Sequence, residues 1–342
     1  MTLIDLCERG HVPDTLLRAA VRKISARRLV EESAHDPALF NARKRELIGQ
    51  WSAGPIAIET QAANEQHYEV PPAFFVHSLG AHLKYSCGYW PEPDTSLDES
   101  EAAMLKLSCE RAQLEDGMQI LELGCGWGSL TLWMARNYPK ARILAVSNSS
   151  LQRGYIEERA AAEGLGNVQV QTCDINNFDP KKKFDRVVSI EMMEHLRNHR
   201  LLFERIAGWL KDDGKLFSHV FCHRELLYPY EDRGEDDWMS RYFFTGGIMP
   251  SFDYFLLCQS SLHCENRWWV NGQHYEATSN AWLARTDANR EQILAVLGEH
   301  YSDADARLWL QRWRMFYIAV AEFFGLQQGR QWGVGHYLMS PR

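Results

Sequence analysis

Short apolar runs alternate with amphipathic stretches through the middle of the chain, which is the pattern of alternating strands and helices. The clearest run is 118–123, where isoleucine and leucine side chains predict a buried parallel strand. Further strands are predicted at 142–146, 168–172, 184–190 and 215–220, and helices at 97–113, 151–163 and 201–210. This alternation predicts an α/β fold with a doubly wound, mostly parallel sheet and right-handed crossovers.

Helical spacing also marks both ends of the chain. Helices are predicted over 13–33 and 37–51, and after 287 a helix to about 298, a second over 303–324 and an edge strand at 332–339. The aromatic stretch 221–280 is predicted to form a lid. We therefore expect four segments: a helical N-terminal extension that covers cofactor and substrate (1–95), a Rossmann-like cofactor-binding core (96–220), a substrate cap (221–290), and C-terminal helices with a final strand completing the core (291–342).

Composition and charge narrow the class of protein. Of the 342 residues 45% are apolar, so the chain can bury a large core. A net charge of −8 argues against a general nucleic-acid binder. The eight cysteines contain no Cys-x-x-Cys pair, so we expect no metal site and no disulfide framework but reduced thiols in a cytoplasmic protein. No apolar run reaches the roughly 18 residues that span a bilayer.

The polar face of the first predicted helix is basic. Its side chains are Arg18, Arg22, Lys23, Arg27 and Arg28. Such a face could meet an anionic lipid surface, although a solvated helix face is the commoner explanation for five charges.

A glycine-rich turn follows the strand at 118–123, and a helix begins directly after it. Its spacing is Glu122-x-Gly124-x-Gly126-x-Gly128, whereas a dinucleotide fingerprint would place the third glycine at Ser129. The turn resembles motif I of class I S-adenosylmethionine-dependent methyltransferases. The resemblance implies S-adenosylmethionine as the cofactor, with the glycines facing its methionine part. A pyridine-nucleotide oxidoreductase is the disfavoured alternative.

Polar residues follow the carboxyl ends of the predicted strands, where ligands of such sheets bind. Most class I methyltransferases have an acid after the second strand, but residues 147–152 here offer hydroxyl and amide groups. That substitution and the aromatic patches 67–75 and 83–90 resemble the cyclopropane-fatty-acyl-phospholipid synthase superfamily. The resemblance implies these cofactor contacts: Tyr85 and Ser86 over the cofactor, Ser147, Asn148 and Gln152 at the ribose, and Asp174 with Ile175 at the adenine. Ser149 or Ser150 is expected to cap the next helix, and Asp174 could equally begin a turn.

The residues that point to chemistry are Glu191, Glu194 and His195, directly after the fourth predicted strand. If one helical turn follows the strand, the two carboxylates lie on one face with the histidine beside them. Methyl transfer from a sulfonium is a direct displacement, so the enzyme must place an unprotonated nucleophile in line with the methyl group. The carboxylates could hold an ammonium, and the histidine or a carboxylate could take its proton. Burying three such groups is costly, which favours a catalytic site over a charged turn.

Nearly the whole chain resembles the coclaurine N-methyltransferase branch of the same superfamily. The resemblance includes the N-terminal basic helix, 105–120, 155–158, 235–238 and 313–325. It implies that Glu191 and Glu194 are the branch's two glutamates and that His195 is its proton acceptor; cyclopropane synthases usually have glycine in place of Glu191. We therefore expect methylation of the amine of a small lipophilic, aromatic compound.

A second acceptor stays open. Cys87, Glu194, His219 and Tyr275 match positions that hold bicarbonate in cyclopropane synthases, and the plant N-methyltransferase has phenylalanine in place of Tyr275. The alternative is cyclopropanation or C-methylation of an unsaturated phospholipid acyl chain at a membrane surface, with bound bicarbonate as the base. Either activity is compatible with a homodimer.

Overall fold

The computed structural model describes residues 2–32, 37–58, 70–231, 234, 238–258 and 260–342. Its strands are β1 (Gln119–Leu123), β2 (Arg142–Ser147), β3 (Val168–Thr172), β4 (Phe184–Ile190), β5 (Leu210–His223), β6 (Tyr228–Pro229), β7 (Ile248–Met249), β8 (Leu262–Asn271) and β9 (Trp332–Pro341). Within the described residues the main sheet has seven strands in the order β3-β2-β1-β4-β5-β9-β8, and β6 pairs with β7 apart from it. Strands β1 to β5 run parallel and β9 runs antiparallel to its neighbours, so the predicted fold is confirmed.

Helices flank the sheet and fill both ends of the chain. They are α1 (Leu3–Glu8), α2 (Asp14–Glu32), α3 (Pro37–Trp51), α4 (Pro72–Ser78), α5 (Leu97–Arg111), α6 (Ser129–Asn137), α7 (Ser150–Ala162), α8 (His199–Trp209), α9 (Trp238–Tyr242), α10 (Tyr254–Cys258), α11 (Gln273–Ala288), α12 (Arg290–Gly298) and α13 (Asp303–Gly329). A 3₁₀ turn, Met193–His195, follows β4 and supplies the helical turn expected there.

Neighbouring residues of the central strands point to opposite faces of the sheet, and both faces are buried. Ile120 and Val188 pack in one apolar cluster with side chains of α5 and α6. Leu121 and Val187 pack in another, with side chains of α8. Burial on both faces explains why these strands are continuous apolar runs in the sequence.

The C-terminal strand is not at the edge of the sheet, so that prediction is wrong. β9 pairs with β5 on one side and with β8 on the other. The strand at this edge of the sheet is β8, which lies inside the segment 221–290 that was expected to form only a cap. Its pattern is weak because Glu265, Asn266 and Arg267 are exposed, as befits a strand with one neighbour.

The basic face of α2 docks on α13. Arg18 and Arg22 both form ion pairs with the buried Glu322, with N–O distances of 2.7 and 2.5 Å. Arg28 pairs with Glu32 at 3.1 Å. These contacts stabilise the fold and take up much of the face that could have met lipid. In the part of the chain that the structure describes, no helix is long and apolar enough to cross a membrane.

Two stretches singled out in the sequence lie partly outside the described residues. They are 67–69 of the first aromatic patch, and 232–233 with 235–237 of the acidic run after β5.

Candidate active site

Two cavities meet at the carboxyl ends of β1, β2 and β4. The first extends from the loop 83–86 past the glycine turn, and the second extends from that turn to the residues after β3. Among the described residues, those lining both are Gly124, Gly126, Gln152, Met192 and His195. The glycine turn and the candidate proton acceptor therefore share one crevice, as the strand-end rule predicts.

The predicted site residues that do not line both cavities divide into three groups. The first cavity is also lined by Tyr85, Ser86, Glu122, Glu191 and Tyr275. The second is also lined by Ser147, Asn148, Asp174 and Ile175. The predicted residues that line neither cavity are Cys87, Gly128, Glu194 and His219.

The glycines of the turn have different tasks. Gly126 has φ +51°, and a Cβ built on it would meet nothing within 4 Å, so it faces open cavity space. Gly128 has φ +82°, and its Cβ would lie 2.6 Å from a side-chain carbon of Ile156. Gly126 is thus placed to admit a ligand, whereas Gly128 permits close packing of α7 against the start of α6.

The polar groups after β2 bind one another. Ser147 Oγ donates to Gln152 Oε1 at 2.6 Å. Ser149 caps α7, because its Oγ accepts from the Gln152 N–H at 3.3 Å, which confirms the expected capping role. Asp174 Oδ1 accepts from the Asn176 N–H at 2.8 Å, so Asp174 begins a turn and also lines the second cavity.

Glu191 is the centre of the hydrogen bonding at the other end of the crevice. Its Oε1 accepts from the Cys87 N–H at 3.1 Å and from His219 Nε2 at 3.0 Å, and its Oε2 accepts from the Tyr275 hydroxyl at 2.6 Å. Glu191 has φ +44°, a left-handed conformation that is costly for a side chain with a Cβ. Donors from three separate segments hold the carboxylate in this conformation.

Glu194 has a different environment. Its Oε1 accepts from the Phe221 N–H at 2.6 Å, while its buried Oε2 has no hydrogen-bond partner among the described residues. Burial and the neighbouring charge of Glu191 raise the pKa of Glu194 well above its ordinary value. The two glutamates therefore differ: Glu191 accepts hydrogen bonds on both oxygens, and Glu194 accepts on one, so the ionised form of Glu194 is the less stabilised.

His195 is neutral at physiological pH. Burial lowers its pKa to about 4, and the charge of Glu191 opposes that shift. The ring stacks on Phe244, with centroids 5.7 Å apart and planes 11° apart. A neutral imidazole that lines both cavities can accept a proton there.

A third, apolar cavity of about 320 Å³ borders the first. Phe221, Phe244, Tyr275 and Phe316 line both of them. Its remaining walls include α1, α2, α9 and α13, with Arg28 as the charged side chain among the described lining residues. A lipophilic molecule in this cavity would reach the His195 end of the crevice.

The sequence did not single out several residues of the crevice. Lys84 is buried, and its Nζ donates to Ser86 Oγ and to the Cys87 carbonyl. Burial lowers its pKa, against the charges of Glu191, Cys87 and Glu101. A lysine within the aromatic patch 83–90 was the available signal, because a buried cation needs anionic partners. Ala57 and Ile58, which also line the second cavity, carry no such signal.

The sheet, the glycine turn and the strand-end residues are those of a class I S-adenosylmethionine-dependent methyltransferase. A family model described as mycolic acid cyclopropane synthetase matches residues 57–324, and the chain belongs to that family. It is 36% identical to (S)-coclaurine N-methyltransferase of Thalictrum flavum subsp. glaucum, over 99% of this chain and 95% of the relative. It is 31% identical to the cyclopropane-fatty-acyl-phospholipid synthase of Escherichia coli K12, over 72% of this chain and 60% of the relative.

A solved structure of coclaurine N-methyltransferase bound to N-methylheliamine and S-adenosylhomocysteine superimposes with a TM-score of 0.95, at 36% identity, covering 99% of this chain and 98% of that one. Within the described ranges, no group of three or more His, Cys, Asp or Glu side chains is arranged to hold a metal ion.

Proposed function

We propose that this enzyme methylates the nitrogen of a lipophilic amine. The observation that carries the proposal is the position of Glu191. Its carboxylate accepts from the Cys87 N–H, His219 and Tyr275, and those residues match three of the positions that hold bicarbonate in cyclopropane synthases. A carboxylate of the chain thus takes donors that a bound bicarbonate would need, so alkene chemistry would lack its external base.

The relatives support the same choice of acceptor. The plant N-methyltransferase matches nearly the whole chain, whereas the bacterial synthase matches 72% of it. The superimposed structure holds an N-methylated compound. This chain belongs to the family described as mycolic acid cyclopropane synthetase, but cyclopropane synthases usually have glycine in place of Glu191. We infer that Glu191 directs the methyl transfer to nitrogen.

The crevice fits S-adenosylmethionine, which when bound supplies a methyl group on a positively charged sulfur. The open face of Gly126 leaves room for the methionine part, with Glu122 nearby. Burial raises the pKa of Glu122 to about 8, so a neighbouring cation would stabilise the ionised form of this carboxylate. We assign Ser147 and Gln152 to the ribose and Asp174 to the adenine, since all three line the second cavity.

The apolar third cavity fits the body of the acceptor. Its aromatic and aliphatic walls meet the crevice at Phe221, Phe244 and Tyr275. Ionic side chains other than Arg28 do not line its described part, so a substrate with one amine and an otherwise neutral, apolar body suits it. We infer that the amine end lies beside His195.

The chain's own contribution to the reaction is to remove and hold a proton. His195 is neutral and accepts the amine's proton at a ring nitrogen, which leaves the nitrogen lone pair available for attack. The imidazolium that results gains from the adjacent negative charge of Glu191. Aromatic side chains line this end of the cavity.

Bicarbonate dependence tests the proposal against the alkene alternative. We expect the rate with an amine to be unchanged in bicarbonate-depleted buffer. Tyr275→Phe should lower kcat/KM by no more than roughly tenfold, since the Cys87 N–H and His219 still hold the other oxygen of Glu191. A bicarbonate-dependent rate, together with inactivity of Tyr275→Phe, would favour the alkene acceptor.

A further inference from the structure

A row of side-chain hydrogen bonds leads from the Glu191 carboxylate back through the sheet. His219 Nε2 lies 3.0 Å from Glu191 Oε1, and His336 Nε2 lies 2.9 Å from His219 Nδ1. Arg111 Nη1 lies 2.8 Å from His336 Nδ1. The two histidines are opposite one another in the register of β5 and β9, and both are fully buried. Neither His336 nor Arg111 lines the crevice.

The arginine fixes the direction of every bond in this row. A guanidinium only donates, so His336 must accept at Nδ1 and carry its proton on Nε2. That proton is donated to His219 Nδ1, so His219 carries its own proton on Nε2 and donates it to Glu191. An extra proton on either ring would place two N–H groups face to face. The row is complete only when both imidazoles are neutral and Glu191 is an acceptor.

Charged and titratable groups surround the row from every side. Burial lowers the pKa of His219, and the positive charges of Lys84 and Arg111 lower it further. Burial raises the pKa of Glu191, and the charge of Lys84, the hydrogen bonds from Tyr275 and the Cys87 N–H, and the charge of His195 oppose that shift. Glu194 lies near enough for the charge of Glu191 to raise its pKa. The ring of Trp268 on β8 packs on Arg111, with its centroid 5.0 Å from the guanidinium carbon. Burial lowers the pKa of Arg111, and the charges of Tyr89 and Glu110 oppose that shift.

We propose that His336 and Arg111 are positioning residues, which act through His219 by keeping its imidazole neutral. A neutral His219 donates to Glu191 and orients the carboxylate toward the acceptor's end of the crevice, and it leaves the negative charge of Glu191 uncompensated. This proposal rests on the function proposed above for Glu191. Without the His336 N–H, His219 Nδ1 becomes a site that can take a proton. His219 would then be a cation beside Glu191 and would cancel the charge that supports proton removal by His195.

His336→Leu and His336→Gln form a matched pair that tests this. The leucine removes both hydrogen bonds, so kcat should fall roughly 10- to 100-fold and the acidic limb of the pH profile should move to higher pH. The glutamine can accept from Arg111 and donate to His219, so its kcat and pH profile should stay near those of the wild type. Affinity for S-adenosylhomocysteine should change little in either variant.

Arg111→Met provides the same test at a partly exposed position, in case the leucine variant does not fold. It should move the acidic limb in the same direction. Imidazole ¹⁵N spectra of the substrate-free protein should show His219 neutral with its proton on Nε2 in the wild type and in His336→Gln. These spectra are recorded without a methyl acceptor, so they test the row of hydrogen bonds independently of the proposed amine substrate.

Two results would overturn the proposal. One is wild-type kcat and pH profile in both His336→Leu and Arg111→Met. The other is equal loss of activity in His336→Leu and His336→Gln with no movement of the pH profile and an unchanged tautomer of His219, which would assign the residues to stability alone.

Discussion

At the scale of single residues, the site separates three titratable groups that lie within five positions of one another. Burial raises the pKa of both glutamates, but the charge of Lys84 and the hydrogen bond from Tyr275 oppose that shift at Glu191. Burial lowers the pKa of His195 to about 4. Environments that push such values apart divide charge-holding and proton-accepting roles between neighbours. His195 is therefore unprotonated at neutral pH, as a proton acceptor must be.

Replacing His195 tests that role. His195→Ala should lower kcat for an amine roughly 10²- to 10⁴-fold, because a general base is lost. Calorimetry should find the affinity for S-adenosylhomocysteine nearly unchanged. His300→Ala, at an exposed histidine beyond α12, is the matched control and should keep full activity. Comparable kcat values for the two variants would exclude His195 as the proton acceptor.

The pH dependence follows from the same pKa. As the pH falls through about 4, His195 becomes protonated and can no longer accept, so activity is lost there. Between pH 6 and 9 its protonation is constant, and kcat/KM should follow the acceptor amine instead. Two amines of different pKa should give curves displaced by that difference. If the pH curves of both amines had the same midpoint near neutral pH, an enzyme group other than His195 would control the rate.

The sequence predicted the identities of the central residues but not their arrangement. Glu191, Glu194 and His195 could be named because charged groups after a buried strand are costly. The left-handed backbone of Glu191 and its contacts with Cys87 and Tyr275 depend on segments about 100 and 80 positions away. No local pattern encodes such contacts.

At the scale of elements, the strand-turn-helix unit around Gly126 organises the crevice. Gly126 faces open space, and its φ of +51° is unfavourable for a β-branched residue. Gly126→Val should therefore weaken binding of S-adenosylhomocysteine by at least tenfold while the protein stays folded. Gly154→Val, at an exposed glycine of α7 with nothing within 4 Å of its Cβ, is the control. Wild-type affinity in a folded Gly126→Val would exclude the turn from the cofactor site.

Elements were predictable where the apolar pattern is clear and poorly predictable where it is interrupted. The observed bounds of β3 and β4 equal the predicted ones: β4 is largely buried, and β3, at the other edge of the sheet, alternates valine with polar residues. The strand β8 was missed because its exposed polar residues resemble those of a loop, and β9 was consequently placed at the edge. Pairing of β9 with β5 over eight residues is a long-range contact that the run 332–339 cannot reveal.

At the scale of the whole molecule, the helices before the sheet close the apolar cavity. Leu17 and Val21 of α2 line it opposite side chains of α13, and the ion pairs of Glu322 hold the two helices together. The basic residues that suggested a lipid surface thus position the wall of a chamber. We infer that α1 and α2 serve mainly to enclose the acceptor.

Filling this chamber should affect the acceptor alone. Val21→Trp places a large side chain in the cavity and should raise KM for a lipophilic amine about tenfold or more. Affinity for S-adenosylhomocysteine should be unchanged, because Val21 lines neither of the other cavities. Val30→Trp, at an exposed position of the same helix, is the control. Equal KM values for both variants would place the acceptor elsewhere.

The identity of the methylated product decides directly whether the enzyme methylates an amine nitrogen or an alkene. The protein would be given S-adenosylmethionine with an isotopically labelled methyl group, together with a panel of lipophilic aromatic amines and vesicles of unsaturated phospholipid, and the products separated by mass spectrometry. We predict label on the nitrogen of an amine, with no need for bicarbonate. Label in a methylene bridge of the acyl chains, with the amines unchanged, would contradict it.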